Sequence, residues 1–183
     1  VGEGDFYRPD HRLIFAAIRD LAERSEPCDA VTISEHLASR NELEDAGGLA
    51  YLGTLVKDTP SAANVVDYAG IIRDRALLRD LIRIPSVSQD EGAVVARIRD
   101  AMTAAGWDEV RVDGLGNLVA RVGSGPRVLA IDAHIDTVDT GDLAQWELPP
   151  YSGRIAGGKV HGRGSVDQKG GAASMITAGR MLK

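Results

Sequence analysis

The sequence predicts an α + α/β protein, a helical N-terminal module followed by a partial α/β sheet domain. Three observations lead there. Up to about Leu81 the apolar residues recur at helical spacing. From Val110 onward, short apolar runs separated by glycine-containing turns replace that pattern. Val128-Leu129-Ala130-Ile131 is a continuous apolar run, which suits a strand covered on both faces. The expected division is residues 1–78 for the helical module and 79–183 for the sheet domain.

In chain order, Pro9 and Asp10 open a first helix whose Leu13, Ile14, Ala17, Ile18 and Leu21 form one stripe, with Pro27 beyond its end. Thr32-Ile33-Ser34-Glu35 has the capping-box pattern and is expected to start a short helix through Leu37. Gly47-Gly48 break the chain, and residues 49–56 suit another helix. Thr59-Pro60-Ser61 introduces a long one. It places Val65, Ala69, Ile72, Ala76 and Leu81 on one face, with Arg73, Asp74 and Arg79 on the other. No glycine-serine tract or charge run divides Ala76 from Pro85, so the two halves are expected to share this helix.

After Pro85, Ser88-Gln89-Asp90-Glu91 is a second capping box. It precedes a helix whose Val94, Val95, Ile98, Ala101 and Met102 face inward, with Gly106 as its C-cap. Residues 110–112, 118–122 and 128–131 read as strands. Arg154-Ile155 and Lys159-Val160 suit a hairpin around Gly157-Gly158, and residues 172–182 a final helix.

Composition narrows the function. An apolar content of 44% is enough for a core, and 183 residues allow one or two domains. The net charge of −6 argues against a broad nucleic-acid surface, without excluding a local patch. The single cysteine, Cys28, excludes an internal disulfide and fits a reducing, cytoplasmic setting. No stretch is long and apolar enough to span a bilayer, and no signal peptide opens the chain, so no membrane partner is expected. The chain begins at Val1 and ends at Lys183 inside an expected helix, unlike a complete open reading frame.

The chemistry concentrates in two stretches. Asp132-Ala133-His134-Ile135-Asp136 follows the apolar run and would sit at a strand's carboxyl end, where open α/β sheets bind ligands. Alternation puts Asp132, His134 and Asp136 on one face. An imidazole among carboxylates is what a metal site needs, although an isolated His-x-Asp is more often a hydrogen-bonded polar strand end. The second stretch, Gly162-Arg163-Gly164-Ser165-Val166-Asp167-Gln168-Lys169-Gly170-Gly171, brings another carboxylate to a glycine-rich turn before a helix.

Together, His134-x-Asp136, Gly162-Arg163-Gly164-x-x-Asp167-x-Lys169-Gly170 and the intervening Trp146 to Tyr151 segment resemble the co-catalytic zinc peptidases and deacylases. That family includes acetylornithine deacetylase, succinyl-diaminopimelate desuccinylase and glutamate carboxypeptidase. The resemblance runs from about Leu78 to Lys183 and covers the opening part of such an enzyme. It implies that His134 ligates one zinc, that Asp167 bridges two zincs, and that Asp136 orients His134. The substrate it implies is an N-acyl amino acid or small peptide, cleaved at an amide bond. It also implies a downstream glutamate pair supplying the proton-shuttling base, and later ligands, none of which lies within these residues. Two protein ligands fall short of the three usual for a catalytic zinc. Asp132 and Asp139 are substitutes that nothing in their spacing requires.

The helical half resembles a different family. Residues 5–15 (DFYRPDHRLIF), Gly47-Gly48-Leu49-Ala50-Tyr51-Leu52 and Thr59-Pro60-Ser61-Ala62-Ala63-Asn64-Val65 are similar to the N-terminal domain of the bacterial replicative DNA helicase of the DnaB type. The resemblance implies an interaction collar that helps hexamers assemble, contacts primase and performs no chemistry; self-association through this module and no direct nucleic-acid partner are expected. The helicase's phosphate loop, G-x-x-x-x-G-K-[ST], occurs nowhere in the sequence. Taken together, the two resemblances imply a chimera joined within one helix. The expected function is a dizinc amidohydrolase fragment, inactive in this form; the alternative is a non-catalytic interaction module of a replicative helicase.

The remaining candidates read as structural. His161 is expected to fill the hairpin, His11 and His36 to be ordinary solvated side chains, and Cys28 a plain small side chain. Arg73, Arg75, Arg79 and Arg83 form a basic helical face interrupted by Asp74 and Asp80, and are expected to be solvated. Lys169 has no companion residue that would make its loop a phosphate site.

Overall fold

A computed structural model describes residues 1–59 and 65–183, arranged as two compact units, Val1–Ala76 and Leu77–Lys183. In the first unit a 3-10 turn at Glu3–Asp5 precedes α1 (Pro9–Glu23), α2 (Ala30–Ser39) and α3 (Gly48–Asp58). Pro9 occupies the first helical position, where its missing N–H leaves nothing unsatisfied. Ile14, Ala17 and Leu21 of α1 close a core with Ile33 and Leu37 of α2, Ala46, and Leu52 of α3. This is the stripe that the apolar spacing predicts.

Both α1 and α2 stop on a left-handed residue that is not glycine. Ser25 (φ 58°) donates its N–H to Ala22 O while Glu26 N reaches back to Leu21 O. Asn41 (φ 58°) and Glu42 repeat the pattern on Ala38 and Leu37. These paired bonds satisfy the last carbonyls of each helix.

The start of α2 differs from the expected capping box at Thr32. Asp29 is the cap, and its Oδ1 accepts from Val31 N at 2.9 Å and Thr32 N at 3.0 Å. Its carboxylate stands three residues earlier and offers two oxygens, so the helix gains a turn at its front. His11 and His36 are not ordinary solvated side chains either. His11 Nε2 lies 2.7 Å from the Tyr51 hydroxyl, and His36 is largely covered beside Asp20.

Helix α4 (Val65–Arg83) is continuous through the boundary between the units, as the absence of a linker predicts. The expected start at Pro60 and Ser61 lies outside the described residues. Arg79 does not join a solvated basic face: it is buried, and its Nη2 pairs with Asp80 Oδ1 at 3.0 Å. Asp80 also holds Arg97 of the next helix.

In the second unit α5 (Gly92–Ala104) and α6 (Lys169–Met181) pack with the end of α4 around Leu77, Leu81, Val94, Ile98, Met102, Ala172, Ala173 and Ile176. Gly106 ends α5 as expected, with φ 74° and paired bonds from Gly106 N to Thr103 O and from Trp107 N to Met102 O. The expected capping box at Ser88 does not form. Glu91 is the N-cap position, and Ser88 turns its hydroxyl elsewhere, as described below.

Two antiparallel pairs follow. β1 (Glu109–Val112) faces β2 (Leu118–Arg121), with Val112 opposite Leu118, and β3 (Arg154–Ala156) faces β4 (Lys159–His161). Gly157 and Gly158, both at positive φ, make the second turn. The expected strand at residues 128–131 forms no ladder, and Val128, Leu129 and Ile131 are 85%, 84% and 62% exposed. An apolar run reports a demand for cover without naming what provides it, and among the described residues no strand pairs with this one. The parallel contact that does form is a single bridge farther on, Val87 to Thr137. No helix among the described residues is long and apolar enough to cross a membrane.

Candidate functional site

The site grows from that bridge. Ser86 is fully buried, and its hydroxyl donates to Ile135 O at 2.8 Å while its carbonyl accepts from Thr137 N at 2.7 Å. Two bonds to one serine fix the backbone on both sides of Asp136. Ser88 then donates its hydroxyl to Asp136 Oδ2 at 2.6 Å. A short bond from a hydroxyl to an ionised carboxylate is a strong one. It is the first reason that the Asp136 carboxyl stays below its ordinary range, the hydrogen bond from His134 being another.

His134 lies between two acids, Asp136 and Asp167. Nδ1 faces Asp136 Oδ1 at 3.2 Å and Nε2 faces Asp167 Oδ1 at 2.9 Å. The hydrogen bond to Asp167 is the main cause that raises the His134 pKa, with Asp136 adding to it; partial desolvation opposes both. His134 and Asp167 are exposed, so a cation or ligand can reach them from solvent.

The glycines explain how Asp167 arrives there. A Cβ on Gly164 (φ +79°) would sit 2.7 Å from Thr137 Cγ2, so glycine lets this loop press against the residue that ends the histidine segment. At Gly162 (φ +150°) a Cβ would meet Ile82 Cγ2 at 2.4 Å and Pro150 O at 2.7 Å. Between them Arg163 stacks its guanidinium over Trp146, 5.0 Å from the ring centroid, and Trp146 donates its indole N–H to Thr140 O. The Asp167–Gln168 peptide is cis.

Lys169, without companions for a phosphate site, has a structural place instead. It is fully buried, and its ammonium donates to Leu81 O at 2.9 Å and Ile84 O at 2.6 Å. Burial pushes its pKa down to about 8. One signal pointed to it. A cation in the first turn of a helix opposes the helix dipole, so Lys169 at the start of α6 needed a partner elsewhere. It finds one at the opposite pole, the carboxyl end of α4.

The donors present suit a divalent cation in kind: an imidazole nitrogen, a carboxylate facing it, and a second carboxylate on the far ring nitrogen to fix the tautomer. In number they do not complete a site. Among the described residues no group of three or more His, Cys, Asp or Glu side chains is placed to hold a metal ion, so Asp132 and Asp139 do not fill the gap. His161 stays in its hairpin, 3.3 Å from Ala156 O, and Cys28 is exposed and free.

Comparison with known proteins divides the chain at the same place as its motifs. Residues 1–74 match the family model described as DnaB-like helicase N terminal domain, and residues 130–183 match peptidase family M20/M25/M40. The chain is 47% identical over 106 residues to the uncharacterized protein YgeY of Escherichia coli K12, covering 58% of this chain and 26% of that one. It is 50% identical over 86 residues to the replicative DNA helicase DnaB of Pasteurella multocida, covering 47% and 18%. Among solved structures, the N-terminal domain of DnaB helicase from Mycobacterium tuberculosis aligns at 42% identity and a TM-score of 0.44, covering 54% of this chain and 66% of that one. The chain therefore spans about a quarter or less of the length of these curated relatives, and it joins stretches similar to two unrelated families in one polypeptide.

Proposed function

We propose, from that join as premise, that residues 79–183 carry one side of the metal site of an amide hydrolase and that residues 1–78 form a self-associating helical module without chemistry. The match to the peptidase family suggests metal dependence in general. Zinc as the metal, a pair of ions, and an N-acyl amino acid or small peptide as substrate are our finer reading. The observation that carries it is the placement of His134 between Asp136 and Asp167.

In this reading His134 Nε2 and Asp167 hold metal, and Asp136 holds the proton on Nδ1, so that Nε2 presents its lone pair outward. Ser88 keeps Asp136 in place, and the glycine contacts at Thr137 and Pro150 keep Asp167 within reach. A metal bound here would polarise an amide carbonyl and lower the pKa of a bound water. Among the described residues these offer two ligands, with no further acid grouped beside them to move the proton. We therefore expect the 183-residue chain to bind zinc weakly and to show no turnover alone. The cytoplasm fits this reading.

A second reading, a non-catalytic interaction module of a replicative helicase, is favoured by the match over residues 1–74. Zinc calorimetry together with hydrolysis of N-acyl amino acids separates the two. The hydrolase-derived reading expects a heat of zinc binding that His134→Ala abolishes. Equal zinc affinity in the parent and the alanine variant would overturn the site assignment.

A further inference from the structure

Residues 127–132, Arg127-Val128-Leu129-Ala130-Ile131-Asp132, are all exposed. Four apolar residues stand in water with a cation at one end and an anion at the other. Among the described residues neither Arg127 nor Asp132 has an ion pair, and no backbone N–H or C=O of the six has a hydrogen-bond partner within the chain. The segment leads into a groove of about 950 Å³ with Val95, Met102, Leu118, Ile131 and Met175 on its walls. An uncovered apolar run with free backbone groups is a template for strand pairing. It carries none of the usual protections, such as an inward charge or an internal proline; Pro126 stands only at its entrance.

We infer that this segment is a self-pairing strand, through which two copies of the chain join antiparallel about a two-fold axis. The charges select the partner and its direction. In antiparallel register Arg127 of each copy faces Asp132 of the other, Val128 faces Ile131, and Leu129 faces Ala130. Opposite charges then meet at both ends, and the apolar residues meet between them. A parallel, in-register pair would instead set Arg127 against Arg127 and Asp132 against Asp132. The hexapeptide is thus complementary to itself in one orientation, the condition for an isologous contact. Pairing also gives the free amides and carbonyls partners. Six residues a side bury less than the roughly 1,200–2,000 Å² of a standard interface, so the dimer is weak and depends on concentration. This contact is separate from any association of the helical module.

Sedimentation of the full chain over a range of concentrations tests the inference, using Arg127→Asp, Asp132→Arg and the double reversal. All three changes fall on exposed side chains. The parent should form a reversible dimer. Each single reversal places like charges at both ends and should weaken the dimer about tenfold, and the double reversal should restore it. Amides of residues 128–131 should also exchange more slowly at high concentration than on dilution. Association that is equal in all four proteins, a double variant no tighter than the singles, or a parent that stays monomeric would each overturn the inference. None of these results bears on zinc binding, which His134→Ala reports separately.

Discussion

The ammonium of Lys169 sits 2.9 Å from the carbonyl oxygen of Leu81, at the carboxyl end of a helix 88 residues earlier in the chain. A second bond, to Ile84 O, makes the lysine a cap for α4. The cation thereby meets the negative pole of α4 while its own backbone begins α6. Because Asp167 stands two residues before Lys169, the clamp also limits where the Asp167 loop can lie.

Replacing Lys169 with Met keeps most of the volume and removes the donor. Two buried carbonyls would lose their partner, and we expect a loss of about 1–3 kcal/mol in urea unfolding at pH 6–7. The pH dependence has a definite sign. The folded pKa of about 8 lies below the ordinary 10.5, so the unfolded chain binds more protons between these values and the parent gains stability as pH rises from 8 to 10.5. Lys169→Met should lack that rise. Parallel stability curves for the two proteins over this range would contradict the buried cation.

His134 titrates in the opposite sense. Its pKa is raised above 6.5, first by the bond to Asp167. Its stabilising contribution is therefore complete below pH 6.5 and disappears as pH climbs through the higher folded value. NMR titration of the imidazole should give a midpoint above 6.5, and Asp167→Asn should move it down. An unchanged midpoint in that variant would mean that the two side chains are apart in solution.

Gly179 lies in α6, where helix propensity alone would favour alanine by about 1 kcal/mol. Packing reverses the preference, since a Cβ there would come within 2.0 Å of Trp107 Cζ2. We expect Gly179→Ala to destabilise by about 1–2 kcal/mol and to shift the tryptophan emission. A stabilised variant would show that the ring yields easily.

The continuity of α4 is tested by Leu78→Pro. Inside a helix the ring removes a donor and clashes with the preceding turn, for about 3 kcal/mol or more. Amide exchange should show residues 77–82 protected in the parent and exposed in the variant. Fast exchange in the parent would place a break at the boundary between the units.

The parts legible in the sequence were those set by local chemistry. Pro9, the α1 stripe, Gly106 and the Gly157-Gly158 turn each act on their immediate neighbours, and each stands where expected. His134 and Asp136 were singled out by their short spacing, and they lie within hydrogen-bond reach of each other. What remained hidden depends on distant partners. Ser88 reads as a cap until Asp136, 48 residues away, takes its hydroxyl. Arg79 reads as a solvated charge until Asp80 pairs with it, and Lys169 reads only as a lysine without phosphate-loop companions until the Leu81 carbonyl accepts from it. The run at residues 128–131 reads as a covered strand, yet no described residue covers it.

The left-handed ends of α1 and α2 leave thermostability in reserve. Ser25 and Asn41 hold a backbone shape at φ 58° that glycine reaches without its Cβ crowding the preceding carbonyl. Glycine at each would relieve that crowding, less at Asn41 because asparagine tolerates the shape better, and would leave the helix-ending hydrogen bonds intact. The two sites lie far from the His134 acid pair in sequence. An engineer could therefore raise the melting point of the helical module in two small steps and leave the chemistry of the other unit unaltered.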